Sequence, residues 1–176
     1  RPLPHLDLSF EDGEICVAGN NMLGYINDPA SWNQQRIHTG DLGNLDSQGF
    51  LHISGRRKNV LISSFGRNIS PEWVESELLA SPQLSEAVVV GDAKPYCSAL
   101  ISARSNGIPD SALQAWIDQV NCGLPDYARI KRWQRLSQLL ADQAGLLTAN
   151  GRPRREAINS AYAEEIAGLY LEPIVA

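Results

Sequence analysis

The point at which the chain changes character is marked by the sequence GRRKNVLISSFGRNISPEW, residues 55–73. Within it, residues 60–62 and 68–69 flank Gly66, which predicts a small hairpin whose turn needs a positive φ. Ser70 has a side chain suited to a helix N-cap, and the proline after it suits the first helical position. This stretch therefore predicts a linker, then a hairpin, then the start of a helix.

The residues before this stretch predict a β-rich piece. A strand is expected at residues 14–17, and a hairpin is expected to join residues 42–45 to residues 49–53, because turn residues precede or separate these runs. We expect these strands to need partners that are not all present in the chain.

The residues after it predict a domain with a core of its own. Apolar positions recur there at strand and helix spacing, with strands expected at residues 85–90 and 98–102 and helices expected at residues 70–80, 109–119 and 153–171. The predicted fold class is therefore α+β. A β-rich segment over residues 1–55 precedes a small α+β domain over residues 56–176.

Charge and composition exclude several classes of protein. The net charge is −5, and residues 1–55 account for all of it with two basic and seven acidic side chains. An acidic surface argues against nucleic-acid binding. No apolar run approaches the roughly 20 residues of a membrane-spanning helix, and no signal peptide opens the chain, which we expect to be part of a longer protein.

The cysteines are few and far apart. Cys16, Cys97 and Cys122 have no spacing typical of a disulfide framework or a zinc site. We therefore expect no bound metal and a reducing, cytoplasmic setting, with the three thiols serving as small apolar side chains.

The first candidate functional cluster is His38-Thr39-Gly40-Asp41-Leu42. Taken alone, Gly40-Asp41 is compatible with an ordinary turn between strands. The functional alternative places Asp41 at a strand edge, where its two carboxylate oxygens accept from two neighbouring hydroxyls, as in a ribose diol.

The second cluster, Gly55-Arg56-Arg57-Lys58-Asn59, holds three consecutive cations. It is compatible with a solvated basic linker. The functional alternative is a phosphate or ribose contact from Arg56, coupled to a hinge in a linker without secondary structure.

The third cluster runs from Leu147 to Arg155 and contains the turn pair Asn150-Gly151. Its cations stand at the start of a predicted helix, where they oppose the helix dipole. Such a cluster is either a solvated loop or a site that attracts an anion such as phosphate.

Together the clusters resemble the adenylate-forming superfamily, which contains acyl-CoA synthetases, luciferases and nonribosomal adenylation domains. Four motifs occur in the family's order: Gly13-Glu14-Ile15 through Gly24-Tyr25, then Thr39-Gly40-Asp41, then residues 55–75 against GRxDxxIKxxGxxIxPxxIE, then residues 147–155 against LTxxGKxxR. The ending, from Arg155 to Tyr170, looks most like the long-chain fatty acyl-CoA synthetase branch.

The resemblance implies a two-step ligase that uses ATP, Mg²⁺ and CoA. A carboxylic acid and ATP form acyl-AMP, the C-terminal domain then swings as a lid, and the CoA thiol attacks the adenylate. By matching position, Thr39, Gly40 and Asp41 bind the nucleotide together with Arg56. Lys58 falls on the hinge, and in the thioester-forming state Gly66 lines the path of the thiol.

This sequence departs from the family pattern in two ways. The Ser/Thr/Gly-rich phosphate loop and the YGxTE segment are absent, so we expect the chain alone to be inactive and to bind none of these molecules tightly. Arg152 stands where the family has its catalytic lysine, and an arginine's planar fork needs a different geometry from a lysine's point charge.

Two other functions fit the same residues. One is a non-catalytic relative that binds a nucleotide or a carrier protein, which Arg152 favours. The other is an acyl-AMP ligase that loads an acyl carrier protein instead of CoA.

Overall fold

The structure, a computed structural model, describes residues 1–171. It is mixed α+β, as the sequence predicts, and divides into two compact units, Arg1–Lys58 and Asn59–Ala176. Within the described residues, no helix has the length and apolar character needed to cross a membrane.

The first unit is an antiparallel sheet of four strands in sequential order: β1 (Leu6–Glu11), β2 (Glu14–Gly19), β3 (Arg36–Leu45) and β4 (Leu51–Arg56). The tight turn at Asp12-Gly13 joins the first two strands, with both residues at positive φ. The hairpin predicted around residues 46–48 joins β3 to β4. Within its turn, Asp46 Oδ1 accepts the backbone N–H groups of Gln48 and Phe50, which stabilises the turn.

The second unit opens with the hairpin predicted around Gly66, formed by β5 (Leu61–Ile62) and β6 (Asn68–Ile69). Helix α1 (Pro71–Leu79) follows with Ser70 at its N-cap position. Its buried Val74 and Leu78, four residues apart, face the core. Burial of such side chains contributes about 1.5–3 kcal/mol each.

A three-stranded sheet in the order β7-β8-β9 forms the centre of the second unit. Strands β7 (Leu84–Val90) and β8 (Cys97–Ala103) are antiparallel and match the prediction, whereas β9 (Ile130–Arg135), which pairs parallel to β8, has no counterpart in the sequence analysis. Helix α2 (Asp110–Gly123) runs four residues beyond its predicted end at residue 119.

Both faces of this sheet are covered. On one face, side chains of β7 and β8 such as Val89 and Ala99 pack with α1 and α2. On the other, Val88 and Leu100 pack with residues from the C-terminal part of the chain, including Ile158 and Leu169. The last four residues of β7 and the first six of β8 are therefore buried.

The single helix predicted over residues 153–171 is wrong. The structure has two shorter helices, α3 (Arg155–Ala161) and α4 (Ala163–Gly168), separated at Tyr162. Tyr162 has φ −114° and ψ 29°, outside the helical region, and its hydroxyl accepts a hydrogen bond of 2.6 Å from Gln143 Nε2. A tertiary contact thus accompanies a break that the apolar spacing did not indicate.

The prediction that the cysteines serve as small apolar side chains holds for two of the three. Cys16 and Cys97 are buried, but Cys122 is exposed. It lies on α2, whose buried face is formed by Leu113 and Ile117 at helical spacing, so Cys122 projects from another side of that helix.

Candidate functional site

Thr39, Gly40 and Asp41 lie inside β3 and not in a turn between strands. Gly40 has φ +74°, and the pairing of β2 with β3 shifts register at this point, so the segment bulges out of the ladder. The Thr39 hydroxyl donates to Ile15 O at 2.8 Å and accepts the Asp41 N–H at 3.1 Å. These bonds set the direction in which Asp41 leaves the strand.

Asp41 and Arg56 are cross-strand partners in β3 and β4. Arg56 Nε lies 2.7 Å from Asp41 Oδ1, and Arg56 NH1 donates to Thr39 O at 3.2 Å. Both side chains remain partly exposed. The structure thus brings together the four residues that the motif resemblance assigns to the nucleotide.

Glu14 supports this segment from β2, and the sequence analysis assigned it no role beyond its place in a motif. Its Oε1 accepts the Gly40 N–H at 2.8 Å, and its Oε2 accepts from Arg57 NH1 at 2.7 Å. The Arg57 guanidinium and the Gly40 amide hold the pKa of the Glu14 carboxyl below its ordinary value, against the effect of burial. The sequence signal for this role was a carboxylate at the start of an apolar strand, because a buried carboxylate is rarely found without a partner.

Lys58 is exposed and is the last residue of the first unit. The expected linker without secondary structure is wrong in detail, because β4 extends through Arg56 and a single 3₁₀ turn follows at Arg57–Asn59. The strand continues because Gly55 and Arg56 pair with residues of β3.

Gly66 lies in the turn of the β5–β6 hairpin with φ +74°. Its N–H donates to Ser63 O at 2.9 Å, which closes the turn, and a Cβ at this position would have no heavy atom within 4 Å. The adjacent Phe65 is exposed. Backbone conformation, and not crowding, therefore explains the glycine.

Arg152 lies at the end of a tight turn that precedes α3. Gly151 N–H donates to Thr148 O at 2.9 Å, and Thr148 and Arg152 exchange hydrogen bonds through the Thr148 N–H and the Arg152 N–H. Arg152 is exposed, and within residues 1–171 no carboxylate forms an ion pair with its guanidinium. The side chain is available to an anion.

Arg155, three residues further on, has the opposite environment. Its NH2 lies 2.9 and 2.8 Å from the two carboxylate oxygens of Glu75, and its NH1 donates to Val89 O at 3.2 Å. Glu75 Oε1 also accepts the Val89 N–H at 2.7 Å. Burial raises the pKa of the Glu75 carboxyl, while the Arg155 charge and the Val89 amide act in the opposite direction.

Three side chains that could hold a metal also meet in the first unit. One ligand atom each from Glu11, Cys16 and His38 lie within 4.8 Å of one another. Cys16 Sγ approaches His38 Nδ1 at 3.5 Å, however, whereas Glu11 approaches His38 Nε2 at 3.8 Å. These contacts involve different ring nitrogens, and burial raises the pKa of the Cys16 thiol, which disfavours the thiolate that a metal needs, so we assign no metal here.

Comparison with known proteins identifies the family. The family model described as the C-terminal domain of AMP-binding enzymes matches residues 58–173. The chain belongs to this family. The predicted resemblance to the adenylate-forming superfamily is thereby confirmed.

Curated members of the family include long-chain-fatty-acid–CoA ligases. FadD15 of Mycobacterium tuberculosis is 30% identical over 199 residues, which cover 97% of this chain and 33% of FadD15. ACSBG2 of Mus musculus is 28% identical over 210 residues, which cover 90% of this chain and 31% of ACSBG2. The chain thus spans about a third of the length of the curated relatives it matches, and its likeness to the long-chain branch is confirmed.

Solved structures show the same fold. The O-succinylbenzoate CoA synthetase MenE of Bacillus subtilis, in complex with AMP, has a TM-score of 0.69 and 30% identity over 89% of this chain and 34% of MenE. The adenylation domain of a carboxylate reductase from Mycobacterium chelonae has a TM-score of 0.78 over 91% of this chain and 28% of that domain. Its identity is 22%, so this second match shows the fold alone.

Proposed function

We propose that this chain is the C-terminal part of an ATP-dependent acyl-activating ligase, which converts a carboxylic acid and ATP to acyl-AMP and then forms a thioester with CoA. On this proposal, residues 1–55 are the end of the large AMP-binding domain and residues 56–176 are its mobile lid. We further propose that the chain alone is inactive and binds none of these molecules tightly. The proposal keeps the cytoplasmic setting that the sparse cysteines indicate.

The observation that carries the proposal is the Asp41–Arg56 pair. Asp41 stands on a bulge fixed by Thr39 and Gly40, and its side chain remains partly exposed. A carboxylate held in this way can accept from the ribose hydroxyls of ATP, while Arg56 contacts the same nucleotide. The complex of MenE with AMP supports a nucleotide ligand.

Two further roles belong to the proposal. Lys58, exposed at the end of the first unit, is the hinge residue about which the lid swings. Gly66, in the turn of the β5–β6 hairpin, lines the path of the CoA thiol in the thioester-forming state. Mg²⁺ accompanies ATP, and none of the residues discussed above is assigned to bind it.

The test uses the full-length protein and measures pyrophosphate release that depends on an added carboxylic acid. Asp41→Ala is expected to abolish most of this release at low ATP, because it removes the acceptor for the ribose. Asp7→Ala, which removes an exposed aspartate of the same sheet, is the matched control and is expected to match the wild type. Unchanged release in Asp41→Ala removes Asp41 from the nucleotide site, and no acid-dependent release in the wild type contradicts the ligase.

A second function is favoured by Arg152. An arginine in place of the catalytic lysine is compatible with a non-catalytic relative that binds a nucleotide or a carrier protein. An acceptor other than CoA is a further alternative, namely an acyl carrier protein. Transfer of the acyl group to CoA and to a carrier protein, measured side by side, distinguishes these acceptors from each other and from a protein that transfers to neither.

A further inference from the structure

A single carboxylate contacts both parts of the first unit to which the proposed function assigns a role. Glu14 accepts the Gly40 N–H within the Thr39–Asp41 segment, and it accepts from Arg57, the residue before Lys58. Glu14 is only 5% exposed, so few of its interactions are left to water. Its protein partners, which also include His38 Nδ1 at 3.5 Å from Glu14 Oε2, are therefore important for keeping it charged.

The contact with Gly40 fixes the bulge that carries Asp41. Because the bulge takes Gly40 out of the strand ladder, its N–H needs a partner other than the neighbouring backbone. Glu14 Oε1 supplies that partner, and the bond from Thr39 Oγ1 to Ile15 O lies one residue away on each strand. The Asp41 segment is thus attached to β2 at two adjacent points.

The second contact of Glu14, with Arg57, holds the segment that leads to Lys58. The Arg57 side chain is itself about half exposed, and it reaches back to the nearly buried Glu14 carboxylate. The Glu14 charge raises the pKa of Arg57 through the same contact. The chain is therefore attached to the first unit up to the residue immediately before Lys58.

We propose that Glu14 is a positioning residue that orients Asp41 for the nucleotide and anchors Arg57, so that the torsional change of the lid begins at Lys58. Glu14 itself does not contact substrate. This inference rests on the proposed function, because it assigns Glu14 a part in nucleotide binding and in the change between the two reaction steps.

The first test is Glu14→Gln in the full-length protein. The amide has the same shape but loses the charge and one acceptor oxygen, so it cannot serve Gly40 and Arg57 equally. We expect the KM for ATP in pyrophosphate release to rise between about tenfold and a hundredfold, with a smaller change in kcat. Hydrogen exchange at the Gly40 amide is expected to become faster.

The matched control is Glu11→Gln, which neutralises the glutamate of another Arg–Glu pair in the same sheet. Glu11 pairs with Arg36 at 2.6 Å, and both side chains are about half exposed. We expect the KM for ATP to stay within about twofold of the wild type, because exposed pairs contribute little.

Arg57→Ala separates the two halves of the proposal. It leaves the bond between Glu14 and Gly40 in place, so the KM for ATP is expected to change little. Thioester formation is expected to slow more than adenylation, because the linker has lost its anchor. Equal slowing of both steps would overturn the anchoring role.

Two results for Glu14→Gln would overturn the orienting role. One is a wild-type KM for ATP together with wild-type exchange at Gly40. The other is a loss of activity no greater than the loss of folded protein, measured by thermal unfolding. If the wild type itself shows no acid-dependent pyrophosphate release, the proposed function fails, but exchange at Gly40 still tests whether Glu14 holds the segment.

Discussion

Two arginine–carboxylate pairs, Arg56–Asp41 in the first unit and Arg155–Glu75 in the second, differ in their exposure to water. In the first unit, the side chains of Arg56 and Asp41 are 42% and 27% exposed. In the second, those of Arg155 and Glu75 are 14% and 8% exposed. Both oxygens of Glu75 contact Arg155, and one of them also accepts the Val89 amide.

This difference separates a pair that can change partners from one that cannot. Water screens the charges of Asp41 and Arg56, so on the proposed function a nucleotide replaces part of their contact at little cost. Glu75 and Arg155 have lost most of their water, and removing Arg155 leaves the Glu75 charge without compensation. The second pair also binds the N–H and the C=O of Val89, in β7 at the edge of its sheet. We infer that it holds α1, β7 and the start of α3 together.

The largest expected effect is on the buried pair. Arg155→Met in this chain is expected to lower the free energy of unfolding by about 3–5 kcal/mol, because Glu75 is left as an unpaired buried carboxylate. Urea unfolding at neutral pH measures the change. Arg154→Met, at an exposed neighbouring arginine, is the matched control and is expected to stay within about 0.5 kcal/mol of the wild type.

The loss in Arg155→Met is also expected to depend on pH. Burial already raises the pKa of Glu75, and without Arg155 it rises further. The folded state then binds the proton more tightly than the unfolded state, so stability is lost as pH rises through the folded pKa. The deficit should be smaller at pH 5 than at pH 8. A deficit that is constant over this range would contradict the unpaired-carboxylate explanation.

A smaller effect is expected for the exposed pair. Asp41→Ala and Arg56→Ala, measured singly and together in this chain, are expected to give an interaction energy of about 0.2–1 kcal/mol. A value above about 2 kcal/mol would mean that the pair stabilises the fold as the Glu75–Arg155 pair does. The inferred difference between the exposed pair and the buried pair would then be wrong.

The smallest change in stability is expected at Arg152. Because its side chain is exposed, Arg152→Lys should leave the free energy of unfolding within about 0.5 kcal/mol of the wild type. In the full-length protein we expect equal or faster adenylation, since lysine restores the family's point charge. A clear loss of adenylation would show that arginine takes part in a different mechanism, and no adenylation in either protein would favour the non-catalytic relative.

Features set by local chemistry could be predicted from the sequence. The hairpin around Gly66 and the start of α1 depend on residues only a few positions apart, and both are present in the structure. Strand β9 was missed because Ile130 and Trp133 are its only apolar residues and its partner β8 lies some thirty residues earlier. The break at Tyr162 was missed because apolar spacing continues across it.

The sequence by itself determined the family, because four motifs occur in one order along the chain and each consists of neighbouring residues. It also determined the α+β class, since strand and helix periods are local. Only the tertiary structure decided that Glu14 contacts Arg57, 43 positions away, and that Glu75 contacts Arg155, 80 positions away. Such pairings depend on how strands and helices pack. Burial removes water from the two charges, so that each needs the other for compensation, and it arises only when the strands and helices pack.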